Sequence, residues 1–561
     1  MPRLFRVLLT LPLLLIELLC AAAFALLPLL MLDMQLTTPL ASGETAELPA
    51  REPLGEGGWR TANGWLAPTP DGLWEAYVQG GDLERGLAIG SLARELIRKQ
   101  EELFVQRIRL LVPDEDKLGW LRHFIGFFNR DIEEHVPAEY RREIYGESRA
   151  FDPAFDMIGT GYERALNYHA AHDIGHALQD LAFVGCTSFA AWGERTADGQ
   201  LLIGRNFDFH LGEEFACDKL VLAMRPDSGH PFVIVTWAGM LGAVSGMNLE
   251  GLTVTINASR SALPTGARTP ISLLAREILQ HAATVDEAVA IAARREVFVS
   301  ESILVGSARD GRAVVIEKAP DGMGVHDPGN GLVVCANHYQ SDAFFGSPVN
   351  QANLRESDSM ARFRRMRALT VTGPPLAPVD AARILRERRG PDGQDVGLGN
   401  PVAIDQLIAH HSVIMQPGDR RLWLGTGPYT LGAFRCYDLR TIFAHDTPAD
   451  MPLHRPETLP ADTLLGSPAM GDLVWHRAMR AALLERRITG RTYRLSAEDE
   501  AAYVRTDPHN AITYSDLGFW YQAFGDRGLA ARYFREALAR PVASVAERRE
   551  LEKALAACDP N

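Results

Sequence analysis

Apolar positions follow two different periods along this chain. Between residues 59 and 185 they recur at helical spacing, as in Ile89, Leu92, Leu96, Ile97, Phe104 and Ile108, and a second helical stretch ends near Asp180. From Cys186 onward the pattern changes to short apolar runs at 188–192, 200–203, 220–224, 232–237, 252–256 and 313–316. Turn-forming Asp198-Gly199, Asp227-Ser228-Gly229, Glu250-Gly251 and Asp310-Gly311 separate several of them, so these runs predict strands. A helical block over 270–294 interrupts the strands. Pro270 opens it, and Thr284-Val285-Asp286-Glu287 starts a second helix inside it. The spacing alone gives an α+β fold class.

Residues 7–32 are apolar apart from Thr10 and Glu17, long enough to cross a hydrocarbon core of about 30 Å as a helix. Arg3 and Arg6 precede this run and Asp33, Glu44 and Glu47 follow it, which places the body of the chain on the far side of the membrane from the cytoplasm, the periplasmic side in a bacterium. A cleavable signal peptide, cut after Ala23-Phe24-Ala25, is the competing reading and would make the protein secreted. The net charge of −14 argues against a nucleic-acid partner. Six cysteines are scattered without metal-ligand spacing; Cys217, Cys335 and Cys436 read as core residues. His169, His172 and His176 share one helical face, but no carboxylate-rich metal motif accompanies them, so no metal and no cofactor is expected.

The chemistry concentrates in Gly185-Cys186-Thr187-Ser188 and, beyond the Asp198-Gly199 turn, Gly204-Arg205-Asn206-Phe207-Asp208-Phe209. A tight hairpin returns its second strand to the start of its first, which brings Cys186, Arg205 and Asp208 together. A thiol is mostly protonated at neutral pH and needs a base or a positive neighbour before it attacks a carbonyl. Cleavage between Gly185 and Cys186 would supply the base, because a freed α-amino group has a pKa of about 7.7–8.0. Asp208 could hold that amine, Arg205 could favour the thiolate, and Gly185 would permit a strained junction.

These motifs resemble the start of the mature chain in the N-terminal-nucleophile hydrolases that include the choloylglycine hydrolases, penicillin V acylase and acid ceramidase. Gly before Cys is similar to the self-processing isopenicillin N acyltransferase branch. Other stretches extend the resemblance over about residues 73–427: Trp74-Glu75-Ala76-Tyr77 with Gly80-Gly81-Asp82-Leu83-Glu84-Arg85-Gly86, Ser245-Gly246-Met247-Asn248, Gly251 with Asn257, Ala336-Asn337-His338, and Arg362-Phe363. The resemblance implies Asn337 and Asn257 as oxyanion donors and Arg362 as a further active-site group. Near the C-terminus, Tyr514, Leu517, Gly518, Tyr521, Gly525, Ala530, Phe534 and Ala537 fall on tetratricopeptide positions, with a capping helix over 544–557 and a packing helix over 473–486.

The organisation this implies is an anchor or signal segment at 1–35, a linker at 36–58, a helical prosegment at 59–185 and a four-layer αββα catalytic domain at 186–445. A Pro-rich linker at 446–469 and a tetratricopeptide-like region at 470–561 complete it. The expected activity is that of a self-processing cysteine amidohydrolase or acyltransferase. It would act on linear or side-chain carbon–nitrogen amides through an acyl-Cys186 thioester, with a small-molecule N-acyl amide or lipid-like substrate. Water or an amine or alcohol acceptor would take the acyl group, and the sequence leaves both open. The alternative is a tethered scaffold that contacts other proteins through the C-terminal repeat and carries a degenerate core.

Overall fold

The computed structural model describes residues 36–111, 126, 129–178, 185–209, 212, 214–260 and 267–558. Among them, two sheets lie face to face. The larger runs Glu52–Leu54, Gly58–Thr61, Gly64–Pro68, Trp74–Gly80, Leu220–Pro226, Phe232–Thr236, Ser245–Asn248, Leu252–Ala258, Glu301–Ser307, Arg312–Ala319, Gly322–His326. The smaller runs Leu332–Cys335, Thr187–Ala191, Leu202–Asp208, Ala409–Gln416, Arg421–Gly425, Phe434–Asp438, His454–Leu459. Neighbours are antiparallel except Trp74–Gly80, which pairs parallel with Leu220–Pro226 along its whole length.

Strand alternation decides the layering, because successive side chains point to opposite faces. In Leu220–Pro226, Val221 and Ala223 enter the core between the sheets while Leu222 and Met224 enter the core beneath the helices. The second core also takes Ile89 from Asp82–Leu92, Ile144 from Ala138–Ser148 and Ile278 from Ile271–His281. On the outer face of the smaller sheet, Phe189 and Ile414 meet Met366 and Ile384 from the helices Ser359–Thr372 and Pro378–Leu385. The order is therefore helices, sheet, sheet, helices. The expected start of the helix Val285–Ala293 is a capping box: Glu287 N–H donates to Thr284 Oγ1 at 3.2 Å, and the Glu287 carboxylate accepts from the Thr284 N–H.

The stretch Gly80 to Gly86 serves the fold. Gly80 has φ +110°, a left-handed turn into the helix. The Glu84 carboxylate accepts from Gly81 N–H at 3.1 Å, and Arg85 donates to Gly80 O at 2.6 Å and to Glu143 at 2.7 Å. A Cβ on Gly86 would fall 2.0 Å from Glu143 O, so only glycine lets this helix lie against Ala138–Ser148. Arg276 closes the cluster by donating to Glu143 Oε2 at 3.1 Å, with all three charged side chains buried.

Several expectations change. Residues 52–80 form strands of the larger sheet, where the sequence suggested linker and helix, and the Pro-rich linker contains the paired strand His454–Leu459. Cys217 is exposed instead of being a core residue, whereas Cys335 and Cys436 are buried. The C-terminal helices Ala511–Phe524, Arg527–Leu538 and Val545–Cys558 share a core containing Tyr514, Leu517, Tyr521, Ala530, Phe534 and Ala537. Leu483 of Pro468–Ile488 joins that core. Among the described residues no helix is long and apolar enough to cross a membrane; the predicted span at 7–32 lies outside them.

Candidate active site

Cys186 sits immediately before the strand Thr187–Ala191, which pairs with Leu202–Asp208 in the register Thr187 to Asn206 and Ser188 to Arg205. One step further out, Gly185 N–H donates to Asp208 O at 3.2 Å. The hairpin thus brings Cys186, Arg205 and Asp208 into one fully buried place. Arg205 Nη2 lies 3.7 Å from Cys186 Sγ and also donates to Ile256 O. Its Nη1 donates to Ser245 Oγ at 2.7 Å and reaches His411 Nε2 at 3.2 Å. Because a guanidinium only donates, His411 Nε2 accepts, and its proton rests on Nδ1, 2.9 Å from His410 Nδ1. Burial holds both imidazoles well below their ordinary range, neutral at neutral pH.

Burial pushes the Cys186 thiol up to about 11; nearby Arg205 opposes the shift and Asp208 adds to it. Burial likewise lifts Asp208 to about 8, against the pull of Arg362. Both groups are therefore mainly protonated at neutral pH while the chain is intact. Asp208 Oδ2 accepts from Gln406 Nε2 at 3.2 Å, and Oδ1 is buried without a hydrogen-bond partner among the described residues. An α-ammonium released at Cys186 would give that oxygen a donor and draw the carboxyl pKa down.

Arg362 is fully buried despite its Arg-rich surroundings. Its Nη1 donates to Gly185 O, Cys186 O and Thr187 Oγ1 at 2.8, 2.8 and 2.9 Å, and its Nη2 donates to Asn337 Oδ1 and Asp358 Oδ1 at 2.9 Å each. The helical period separates Arg362 from its neighbours: Met366 and Thr370 share its buried face, while Arg364 and Arg367 are exposed. Asn337 Nδ2 donates to Ala258 O at 2.8 Å, and Asn257 Nδ2 to Cys335 O and Ala336 O at 3.2 and 3.3 Å. Both amides are thus engaged by backbone in the intact chain.

Gly185 is outside the left-handed region, contrary to the strained junction expected there. Its missing side chain instead makes room for Gln406, since a Cβ would fall 2.2 Å from Gln406 Nε2. Gln406 and His411 carry no local sequence signal, since they come from a loop and a strand remote along the chain, whereas Ser245 opens one of the motifs quoted from the sequence. His169, for its part, has both ring nitrogens on backbone: Nδ1 donates to Ala165 O at 2.7 Å and Nε2 accepts from Leu241 N–H at 2.9 Å. The side chains of His172 and His176 lie outside the described residues, among which no group of three or more metal-ligating side chains gathers. Beside the thiol, Phe207 lies beneath Arg205 at 4.2 Å and stacks with Phe209 and Trp237, with Phe215 packed on Trp237.

Residues 195–391 match the family model described as acyl-coenzyme A:6-aminopenicillanic acid acyl-transferase. This part of the chain is thus similar to that family. The matched segment holds Arg205, Asp208, Asn257, Asn337 and Arg362; Cys186 lies upstream of it and Gln406 downstream. An uncharacterized protein of Archaeoglobus fulgidus is 26% identical over 316 residues, covering 49% of this chain and 52% of the relative. The N-acylethanolamine-hydrolyzing acid amidase of Caenorhabditis elegans is 24% identical over 208 residues, covering 35% of this chain and 56% of the relative. A solved structure of a Caenorhabditis elegans N-acylethanolamine-hydrolyzing acid amidase ortholog aligns with a TM-score of 0.31 at 20% identity, covering 42% of this chain and 93% of that one. The chain spans about half the length of the curated relatives it matches.

Proposed function

We propose that this protein is a self-processing amidohydrolase or acyltransferase of the N-terminal-nucleophile type, with Cys186 as nucleophile. The observation that carries the reading is the buried Asp208 carboxyl, opposite Gly185 in the hairpin, with Oδ1 unpartnered among the described residues. A buried polar atom without a partner costs stability, so its retention beside a thiol and a guanidinium points to a group that arrives later. The α-amino group of a freed Cys186 is that group.

In the processed enzyme the α-amine takes the thiol proton, Sγ attacks the amide carbonyl, and Asp208 holds the resulting ammonium. The amine then returns its proton to the leaving nitrogen and an acyl-Cys186 thioester remains. Water completes hydrolysis; an amine or alcohol acceptor completes transfer. Asn337 supplies an oxyanion donor by leaving Ala258 O, while Arg362 holds its Oδ1 from the other side. The aromatic wall of Phe209, Phe215 and Trp237 suits an apolar acyl group, in keeping with an N-acyl amide substrate. Mass measurement of an acyl adduct trapped on Cys186, from a panel of N-acyl amides, tests the chemistry. A substrate that turns over equally well with Cys186→Ala contradicts it.

A further inference from the structure

Two side-chain nitrogens converge on the carbonyl oxygen of Gly185, the carbonyl that self-cleavage attacks. Arg362 Nη1 and Gln406 Nε2 each donate to it at 2.8 Å. The Gln406 amide is buried, and its orientation is fixed by Gly185 O, a carbonyl that can only accept and so requires the nitrogen, which also lies 3.2 Å from Asp208 Oδ2. The absent Cβ of Gly185 is what admits it. Neither asparagine offered by the sequence donates to this oxygen: Asn337 is on Ala258 O and Asn257 on Cys335 O and Ala336 O.

We propose that Gln406 is a catalytic residue of the self-cleavage step, forming with Arg362 an oxyanion site for the precursor that is separate from the asparagine donors of amide turnover. This rests on the reading of Cys186 as a self-processing nucleophile. In the step, Cys186 Sγ bonds to the Gly185 carbonyl carbon, and the carbonyl electron pair moves onto the oxygen between Gln406 Nε2 and Arg362 Nη1. Collapse breaks the Gly185–Cys186 carbon–nitrogen bond, and the proton lost by the thiol ends on the departing α-nitrogen. Water then adds to the thioester carbon, the carbon–sulfur bond breaks, Sγ regains a proton from that water, and Gly185 is left as a carboxylic acid that ionises.

The test follows conversion of freshly synthesised full-length chain into two fragments. Gln406→Met keeps the length of the side chain and removes the donor; it is expected to slow conversion by about 10²–10³-fold, the usual loss for one oxyanion donor. Folding is read separately by melting Cys186→Ala with and without Gln406→Met, both of which stay full-length. Conversion at the wild-type rate by a folded Gln406→Met overturns the proposal. If that variant melts low, Gln406→Glu decides. A carboxyl donates only when protonated, so its rate relative to wild type at the same pH should recover as pH falls, and a ratio that stays flat with pH overturns the proposal. Failure of the underlying reading looks different: wild type that never breaks before Cys186, or Cys186→Ala that does.

Discussion

Asp208 is the residue on which the electrostatics of the site turn. Burial lifts it to about 8 in the folded, intact chain, whereas an unfolded aspartic acid titrates at about 3.9. Between those values the folded chain carries a proton that the unfolded chain has released. Stability from this group is therefore fully present below the unfolded value and declines as pH rises toward the folded one. Asp208→Asn removes that dependence. In a Cys186→Ala background, where both proteins remain intact, the melting temperature of Asp208→Asn relative to its parent should climb from pH 5 to pH 8. A difference that stays constant with pH would show that Asp208 is ionised in the intact chain. Turnover makes a second residue-scale prediction. Asn337→Ala should process normally yet act on amide substrate roughly 10²–10³ times more slowly. Unchanged kcat would reduce Asn337 to a brace between Ala258 and Arg362.

Among the elements, the hairpin was legible from its two apolar runs, but its register was not: Ala191 pairs with Leu202 across residues 192–201, which include the short helical turn Gly193–Arg195, instead of the strands closing tightly on Asp198-Gly199. The capped helix Val285–Ala293 was legible for a similar local reason. The strands at 52–80 were not, since Glu52-Pro53-Leu54 and Gly58-Trp59-Arg60-Thr61 are short, carry Pro or Gly, and mix charge with apolar residues as edge strands do. Arg362 was half legible: its place on the Met366 face could have separated it from exposed Arg364 and Arg367. Gln406 and His411 were illegible because their partners lie on the distant hairpin and only the assembled sheet joins them. The helix Ala138–Ser148 offers a prediction at this scale. Glu143 balances Arg85 and Arg276 in a buried cluster, so Glu143→Ala leaves two uncompensated guanidinium groups and should cost about 3–5 kcal/mol in denaturant unfolding. A cost below about 1 kcal/mol, typical of exposed pairs, would mean that water reaches the cluster.

Across the whole molecule, the C-terminal helices are tied to the loop that carries Gln406. Arg477, on Pro468–Ile488, donates to Leu407 O at 2.9 Å and to the Tyr429 hydroxyl at 2.6 Å. Leu407 has φ +53°, an uncommon conformation for a residue with a side chain, which persists where surrounding contacts enforce it. Nearby, Leu398 N–H donates to Asp507 Oδ1 at 3.3 Å and Asn510 Nδ2 donates to Leu398 O at 3.2 Å. The helical region is thus hydrogen-bonded to the stretch that carries Gln406. Arg477→Ala should slow self-cleavage several-fold, less than loss of the Gln406 donor, while the fragments formed still begin at Cys186. Conversion at the wild-type rate would separate the helices from processing.

The central claim is that Cys186 breaks its own bond to Gly185 and becomes an N-terminal nucleophile. Intact-mass and N-terminal analysis of the purified protein, beside Cys186→Ala prepared identically, tests it most directly. Two chains from the wild type, one beginning at Cys186, together with a single unbroken chain from Cys186→Ala, is the expected result. Breakage of Cys186→Ala at the same bond, or an active wild-type protein that remains one chain through residue 186, would contradict it.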